Sequence, residues 1–138
     1  MAETNEWVKN HQCTSWGPSA DGTKLTTGTT SLQTVMHDQI TATLHLKEPG
    51  EFKMKYSKDT KVLADRLNGI FRVIVNGEQW EDTDIIVDTW KYFNSTLNEG
   101  INEIIISYVR YNIEGYLELN SEIELMQIDG LALSDTQC

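Results

Sequence analysis

The stretch "QITATLHLKEPGEFKMKY", Gln39–Tyr56, decides the fold. In its first half Ile40, Ala42, Leu44 and Leu46 alternate with Thr41, Thr43, His45 and Lys47. A helix repeats its apolar positions every three to four residues. A strand repeats them every two, because successive side chains point to opposite faces. The alternation therefore predicts a half-buried strand. Pro49-Gly50 supplies a turn, and Phe52, Met54 and Tyr56 then alternate with outward Lys53 and Lys55. Two such strands across a turn are expected as a hairpin or a neighbouring pair.

The same period continues outward. In "GIFRVIVNGEQW" Phe71, Val73 and Val75 share one face, with Arg72, Asn76, Ile70 and Ile74 on the other. Asn76-Gly77 tolerates positive φ, which predicts a tight hairpin turn. "DTDIIVDTWKYFNSTLN" is expected as a strand pair or a bent strand. "GINEIIISYVRYN", Gly100 to Asn112, places Ile104, Ile106 and Tyr108 on one face, with Ile105, Ser107 and Val109 on the other. Such a strand is expected at the centre of a sandwich, covered on both sides at its start. In "SEIELMQIDGLAL" the inward set shifts from Ile123 and Leu125 to Met126 and Ile128, which predicts a β-bulge. Only "SKDTKVLADRLN" has helical composition, read as a loop with a single helical turn. The first third, with Gly17-Pro18, Asp21-Gly22 and Gly28, reads as loops and short strands. Short strands at regular spacing without a long amphipathic helix predict an all-β antiparallel sandwich or barrel.

A chain of 138 residues is one domain by size, so residues 1–138 are expected to be a single β-sandwich domain cut from a larger protein. No apolar run approaches bilayer length, so no direct membrane insertion is expected of this segment. A net charge of −10 repels phosphate backbones and anionic membrane surfaces, which makes nucleic acid a poor partner. Neutral glycans, cations and basic protein surfaces remain.

The two cysteines, Cys13 and Cys138, bracket the chain. Bonded, they would close a loop worth about 4–5 kcal/mol in the chain-entropy model. Two free thiols are equally compatible with the sequence. Asn94-Ser95-Thr96 is an N-glycosylation sequon, a weak pointer to a secreted setting.

An enzyme needs a nucleophile with a base, a metal cluster or paired carboxylates. His11, His37 and His45 have no ligand spacing, and no nucleophile elbow, zinc helix or phosphate loop occurs. A non-catalytic module is therefore expected. Hard cations need several carboxylate and carbonyl oxygens; Glu124 and Asp129 are the candidate ligands for a structural calcium. Sugars present apolar C–H faces and hydroxyls, which suit aromatic platforms flanked by hydrogen-bonding side chains. Trp80, Trp90, Tyr92, Tyr108, Arg110, Tyr111 and Asn112 make that inventory. A sandwich core consumes aromatics too, and Trp16 beside Gly17-Pro18 reads as structural.

"CTSWGP", "ATLHLKEPGEFKMKY", "FRVIVNGEQW", "LNEGINEIIISY" and "IELMQIDGLALSDTQC" occur in an order that resembles one domain family. That family is the jelly-roll region in the ectodomain of the endosome/lysosome-associated apoptosis and autophagy regulator proteins. The resemblance runs from Trp16 to Cys138. Its specific parts are the start (Cys13, Trp16, Pro18) and the end (Ile128, Gly130, Ala132, Ser134, Cys138). Gln39 stands where that family tends to have a cysteine. Leu97, Gly100, Asn102 and Ile104 are similar to galactose-binding-like and carbohydrate-binding-module jelly rolls, where the glycine turns the chain and the asparagine caps the turn. These resemblances imply a galactose-binding-like jelly-roll β-sandwich and a Cys13–Cys138 bond. They also imply an extracellular or secretory/endolysosomal luminal setting. The expected partner is a glycan or glycoprotein; the alternative is a protein–protein scaffold module without a sugar site.

Overall fold

The computed structural model describes residues 6–7, 12–14, 16–19, 24–27, 35–63, 66–85, 89–111, 119, 121–128 and 131–132. Among these there is no helix. The strands are β1 (Glu6–Trp7), β2 (Gln12–Thr14), β3 (Gly17–Pro18), β4 (Leu25–Thr26), β5 (Val35–Leu46), β6 (Gly50–Lys58) and β7 (Lys61–Leu63). They continue with β8 (Arg66–Asn68), β9 (Ile70–Val75), β10 (Glu78–Asp82), β11 (Lys91–Leu97), β12 (Gly100–Tyr111), β13 (Ser121–Ile128) and β14 (Leu131–Ala132).

Two antiparallel sheets carry the fold. The first runs β1-β5-β12-β9-β10, with β2 also on β5. The second runs β11-β6-β13-β4-β3, with β14 also on β13. The fold is all-β, a jelly-roll β-sandwich. Its core joins the inner faces: Ile40, Leu44, Leu46, Ile104, Ile106, Phe71 and Val73 from one sheet, and Phe52, Met54, Tyr56 and Ile123 from the other. Tyr56 stacks on Phe71 across the gap, centroids 4.3 Å apart and planes 5° from parallel. Each such buried side chain contributes roughly 1.5–3 kcal/mol.

β12 is the central strand, paired with β5 on one edge and β9 on the other. Ile104, Ile106 and Tyr108 face the core. The second face is covered less than its isoleucines suggest: Ile105 is half-buried, and Ile101, at the strand's start, is 73% exposed. Cover on both sides at the start is therefore not found.

Three further expectations changed or sharpened. β5 and β6 are not a pair: the Pro49-Gly50 turn carries the chain from one sheet to the other. Both strands alternate cleanly, but alternation says which face is buried and not which strand lies alongside. "SKDTKVLADRLN" holds no described helix; Lys61–Leu63 and Arg66–Asn68 pair as a small antiparallel ladder. The segment after Trp90 is one strand, β11, at the edge of the second sheet. The predicted bulge is present, as a register shift between Ile123 and Leu125 against β6. So is the tight turn, with φ of 50° at Asn76 and 85° at Gly77 between β9 and β10.

Entry into β12 is a second crossing between sheets. Gly100 has φ +94°. Buried Asn102 accepts the Asn98 backbone N–H at 2.9 Å and donates to the Asn98 carbonyl at 2.8 Å and the Gly100 carbonyl at 3.2 Å. Asn76 Nδ2 donates to Asn102 Oδ1 at 2.9 Å, which ties this corner to the β9–β10 turn. A glycine free to take positive φ and an amide that satisfies the turn's backbone groups are what such a corner requires.

Candidate functional site

β11 sits at a sheet edge with alternate residues outward. Its outward side chains share a face with Lys53 and Lys55 of β6, because the register sets Tyr92 beside Lys55 and Asn94 beside Lys53. Tyr92 is 56% exposed, and Trp90, immediately before β11, is 36% exposed. Lys55 Nζ lies 5.5 Å from the Trp90 ring centroid and 6.0 Å from that of Tyr92. Lys53 Nζ lies 5.1 Å from the Tyr92 ring, and Lys24 Nζ lies 5.5 Å from the Trp90 ring. Ammonium groups at such distances are attracted to the ring quadrupole and hold the rings in place. Glu124, at the β13 bulge, pairs with Lys55 at 3.1 Å. That hydrogen bond raises the Lys55 pKa.

The face thus gathers Trp90, Tyr92 and Glu124, three of the candidates, around lysines that sequence reasoning placed only as outward spacers. The signal was available: Lys53 and Lys55 alternate with Phe52, Met54 and Tyr56. What the sequence lacked was the register that sets β11 beside β6.

The other candidates separate. Trp80, 38% exposed, packs at the seam between the sheets: its ring is 5.0 Å from Phe93 and edge-on to Tyr56 at 6.2 Å. Tyr108 and Arg110 are not on an exposed rim. Tyr108 is fully buried and its hydroxyl donates to the Asp59 carbonyl at 2.5 Å. Arg110 is buried, ion-paired to Asp38 at 2.9 Å and donating to the Leu119 carbonyl. The physical reason is that inward alternation persists to the end of β12, and Asp38 on β5 supplies the counter-charge. The backbone of Tyr111 ends β12; its side chain, Asn112 and Asp129 lie outside the described residues, as does Cys138. Cys13 stands on β2 opposite Ile40. Asn94 is exposed on the outward face of β11.

Of the calcium candidates, Glu124 pairs with the Lys55 ammonium through one carboxylate oxygen, and Asp129 lies outside the described residues. Among the described residues no group of three His, Cys, Asp or Glu could hold a metal ion.

Two polar arrangements were not foreseen. At the end of β10, buried Asp82 accepts the Tyr56 hydroxyl at 2.6 Å and Lys91 Nζ at 3.0 Å, with Lys58 Nζ 3.2 Å away. Burial alone would raise the Asp82 pKa; the hydrogen bonds from Tyr56, Lys91 and the Asp84 backbone N–H outweigh it and hold the carboxyl below its ordinary value. Burial, then the Asp82 hydrogen bond, pushes the Tyr56 hydroxyl far above the tyrosine range. Burial lowers the Lys58 pKa against the pull of Asp82. Partners this fully engaged make a structural brace. On the first sheet, His37 Nε2 and Ser107 Oγ are 2.6 Å apart. A nucleophile needs an accessible hydroxyl, and Ser107 is buried.

No protein-family model matches the chain, and no curated protein does. Among solved structures, 90% of the chain superposes on the secreted serine protease VesC from Vibrio cholerae, with TM-score 0.59 and 16% identity. The chain spans a quarter of that protease's length. It also aligns over 93% of its length with the CBM35 from Cellvibrio japonicus Abf62, covering 90% of that chain at 12% identity and TM-score 0.46. A family 35 carbohydrate binding module from an environmental isolate aligns similarly, 93% of each chain at 13% identity and TM-score 0.45. At these identities the likeness to the protease is one of fold, and the two lower TM-scores add nothing to it. Nothing in these comparisons links the chain to the apoptosis and autophagy regulator ectodomains.

Proposed function

We propose that the chain is a non-catalytic carbohydrate-binding module whose ligand lies on the outer face of the second sheet. The observation that carries this is the pair Trp90 and Tyr92. Both are exposed, and both are fixed by lysines on one flat face. The Lys55 ammonium reaches both rings, at 5.5 and 6.0 Å, so the two stand side by side on that face. Two rings so spaced offer successive stacking platforms along an extended chain, with Asn94 and the lysines as hydrogen-bond donors and acceptors at the margin. The test is affinity electrophoresis against a panel of soluble polysaccharides. Trp90→Ala and Tyr92→Ala should each weaken binding about tenfold or more, in line with loss of one stacked ring. Their melting temperatures should stay near that of the parent. Retention unchanged in the double variant overturns the proposal.

The same reading places the chain outside the cell or in a secretory lumen, with Cys13 bonded to Cys138. Intact mass after alkylation with and without reductant tests the bond. No incorporation before reduction is expected; two alkylated thiols in the native protein would refute it.

A second reading, a protein-interaction module without a sugar site, is favoured by one feature. On the outer face of the first sheet, half-buried Ile105 stands beside Ile74, and Val109 beside Ile70. This reading gains if the aromatic variants change nothing.

A further inference from the structure

We infer that the Trp90–Tyr92 face selects negatively charged polysaccharides, carboxylated or sulfated, over neutral ones. The inference rests on the carbohydrate-binding reading and adds the ligand's charge. Eleven lysines and arginines serve the whole chain against 21 acids. Three of them, Lys24, Lys53 and Lys55, place their ammonium groups within 6.0 Å of the two exposed rings. Glu124 neutralises Lys55. Lys24 and Lys53 have no ion pair among the described residues, so the excess positive charge lies on the two outer sides of the ring pair. Glu51 and Glu122 stand toward opposite ends of the same face, in register with Thr96 and Ser57. In the middle, Glu124 cancels one lysine and leaves Lys24 and Lys53 beside the rings.

A net charge of −10 would seem to repel such a ligand. Distance settles the balance. At physiological ionic strength, charges beyond about 8 Å are largely screened. A carboxylate or sulfate on a sugar stacked over Tyr92 meets Lys53 well inside that length, while Lys55 and Glu124 largely cancel each other there. A neutral sugar gains the stacking and hydrogen bonds from the lysines to uncharged hydroxyls, which are weaker than those to a charged oxygen.

The experiment measures the whole chain by isothermal titration against four polymers. These are polygalacturonate, its fully methyl-esterified form, dextran sulfate and dextran. The first and third are expected to bind at least about tenfold tighter than their neutral counterparts in 50 mM salt, with the gap closing in 500 mM salt. Lys53→Gln and Lys24→Gln should each lower affinity for the charged polymers about three- to fivefold, a larger loss than either causes for the neutral ones, so that the charge preference shrinks. Trp90→Ala should weaken charged and neutral binding together. Preference for polygalacturonate alone identifies the carboxylate as the recognised group, and preference for dextran sulfate alone identifies the sulfate. Trp90-dependent binding with no preference for charge overturns this inference and leaves the carbohydrate-binding reading standing. Charge-selective binding insensitive to both lysine variants overturns it too. No binding to any of the four overturns this inference, and the carbohydrate-binding reading is then decided by the wider polysaccharide panel.

Discussion

Asp38 and Arg110 show how far a side chain's role depends on its neighbour across the sheet. Arg110 pairs along the ladder with Met36 and Tyr108 with Asp38, so the guanidinium meets the carboxylate on a diagonal. Both groups are buried, and removing one leaves the other's charge without compensation. Asp38→Ala is expected to cost about 3–5 kcal/mol, read from the urea midpoint. A loss under about 1 kcal/mol would mean that Arg110 finds water on its own. The sequence offered Tyr108 and Arg110 as candidate sugar contacts, an aromatic platform with a hydrogen-bonding arginine close by. Nothing local announces that its partner lies some seventy positions earlier. Trp90 and Tyr92 stood in the same aromatic inventory as Trp80 and Tyr108, and only the β11–β6 register shows which of them face outward.

Elements were read well where one face decided them. The inward sets of β5, β6 and β9 stand as their alternation predicts, and the β13 bulge follows from the shift in its apolar set. Pairing was harder, because register comes from partners far away in the chain. The two turns that matter most differ in kind. Gly77 at the β9–β10 turn has φ +85° and open space around it, whereas a Cβ at Gly69 (φ +88°) would overlap the Asp59 carbonyl and lie 2.8 Å from the Tyr108 hydroxyl. Gly77→Ala is therefore expected to cost about 1–2 kcal/mol from left-handed backbone alone. Gly69→Ala should cost more than about 3 kcal/mol, because strain and overlap add. Chemical denaturation of the two variants checks the order; equal costs would mean that the connection around Asp59 yields freely.

The whole molecule should lose stability at both ends of the pH scale, for reasons in the Asp82 brace and in the buried Tyr108 hydroxyl. Asp82 has a folded pKa below its ordinary value of 3.8, so its contribution is present above that value and is lost as pH falls through the depressed one. Tyr56 and Tyr108 have folded values raised above 10.0, so their contributions hold below pH 10 and fade as pH rises beyond it. Lys58, lowered from 10.5, works the other way over the upper range and softens the alkaline loss without reversing it. Thermal melts from pH 2 to 11 should show a plateau with a fall at each end. Asp82→Asn should flatten the acid side specifically; an unaltered acid limb in that variant would assign it to other carboxylates.

The wide separation of β5 and β12 has a consequence for how the chain is made. β5, Val35–Leu46, meets its main partner only when Gly100–Tyr111 has been synthesised. At about 5–20 residues per second that interval is roughly 3–13 s. Throughout it a long strand with one apolar face stands beside the ribosome with an open edge. The apolar run that makes β12 a good centre for the finished sandwich therefore makes its late arrival the most exposed moment in the protein's life. Chaperone demand and inclusion-body formation should follow translation speed through residues 47–111 more closely than they follow the stability of the folded domain.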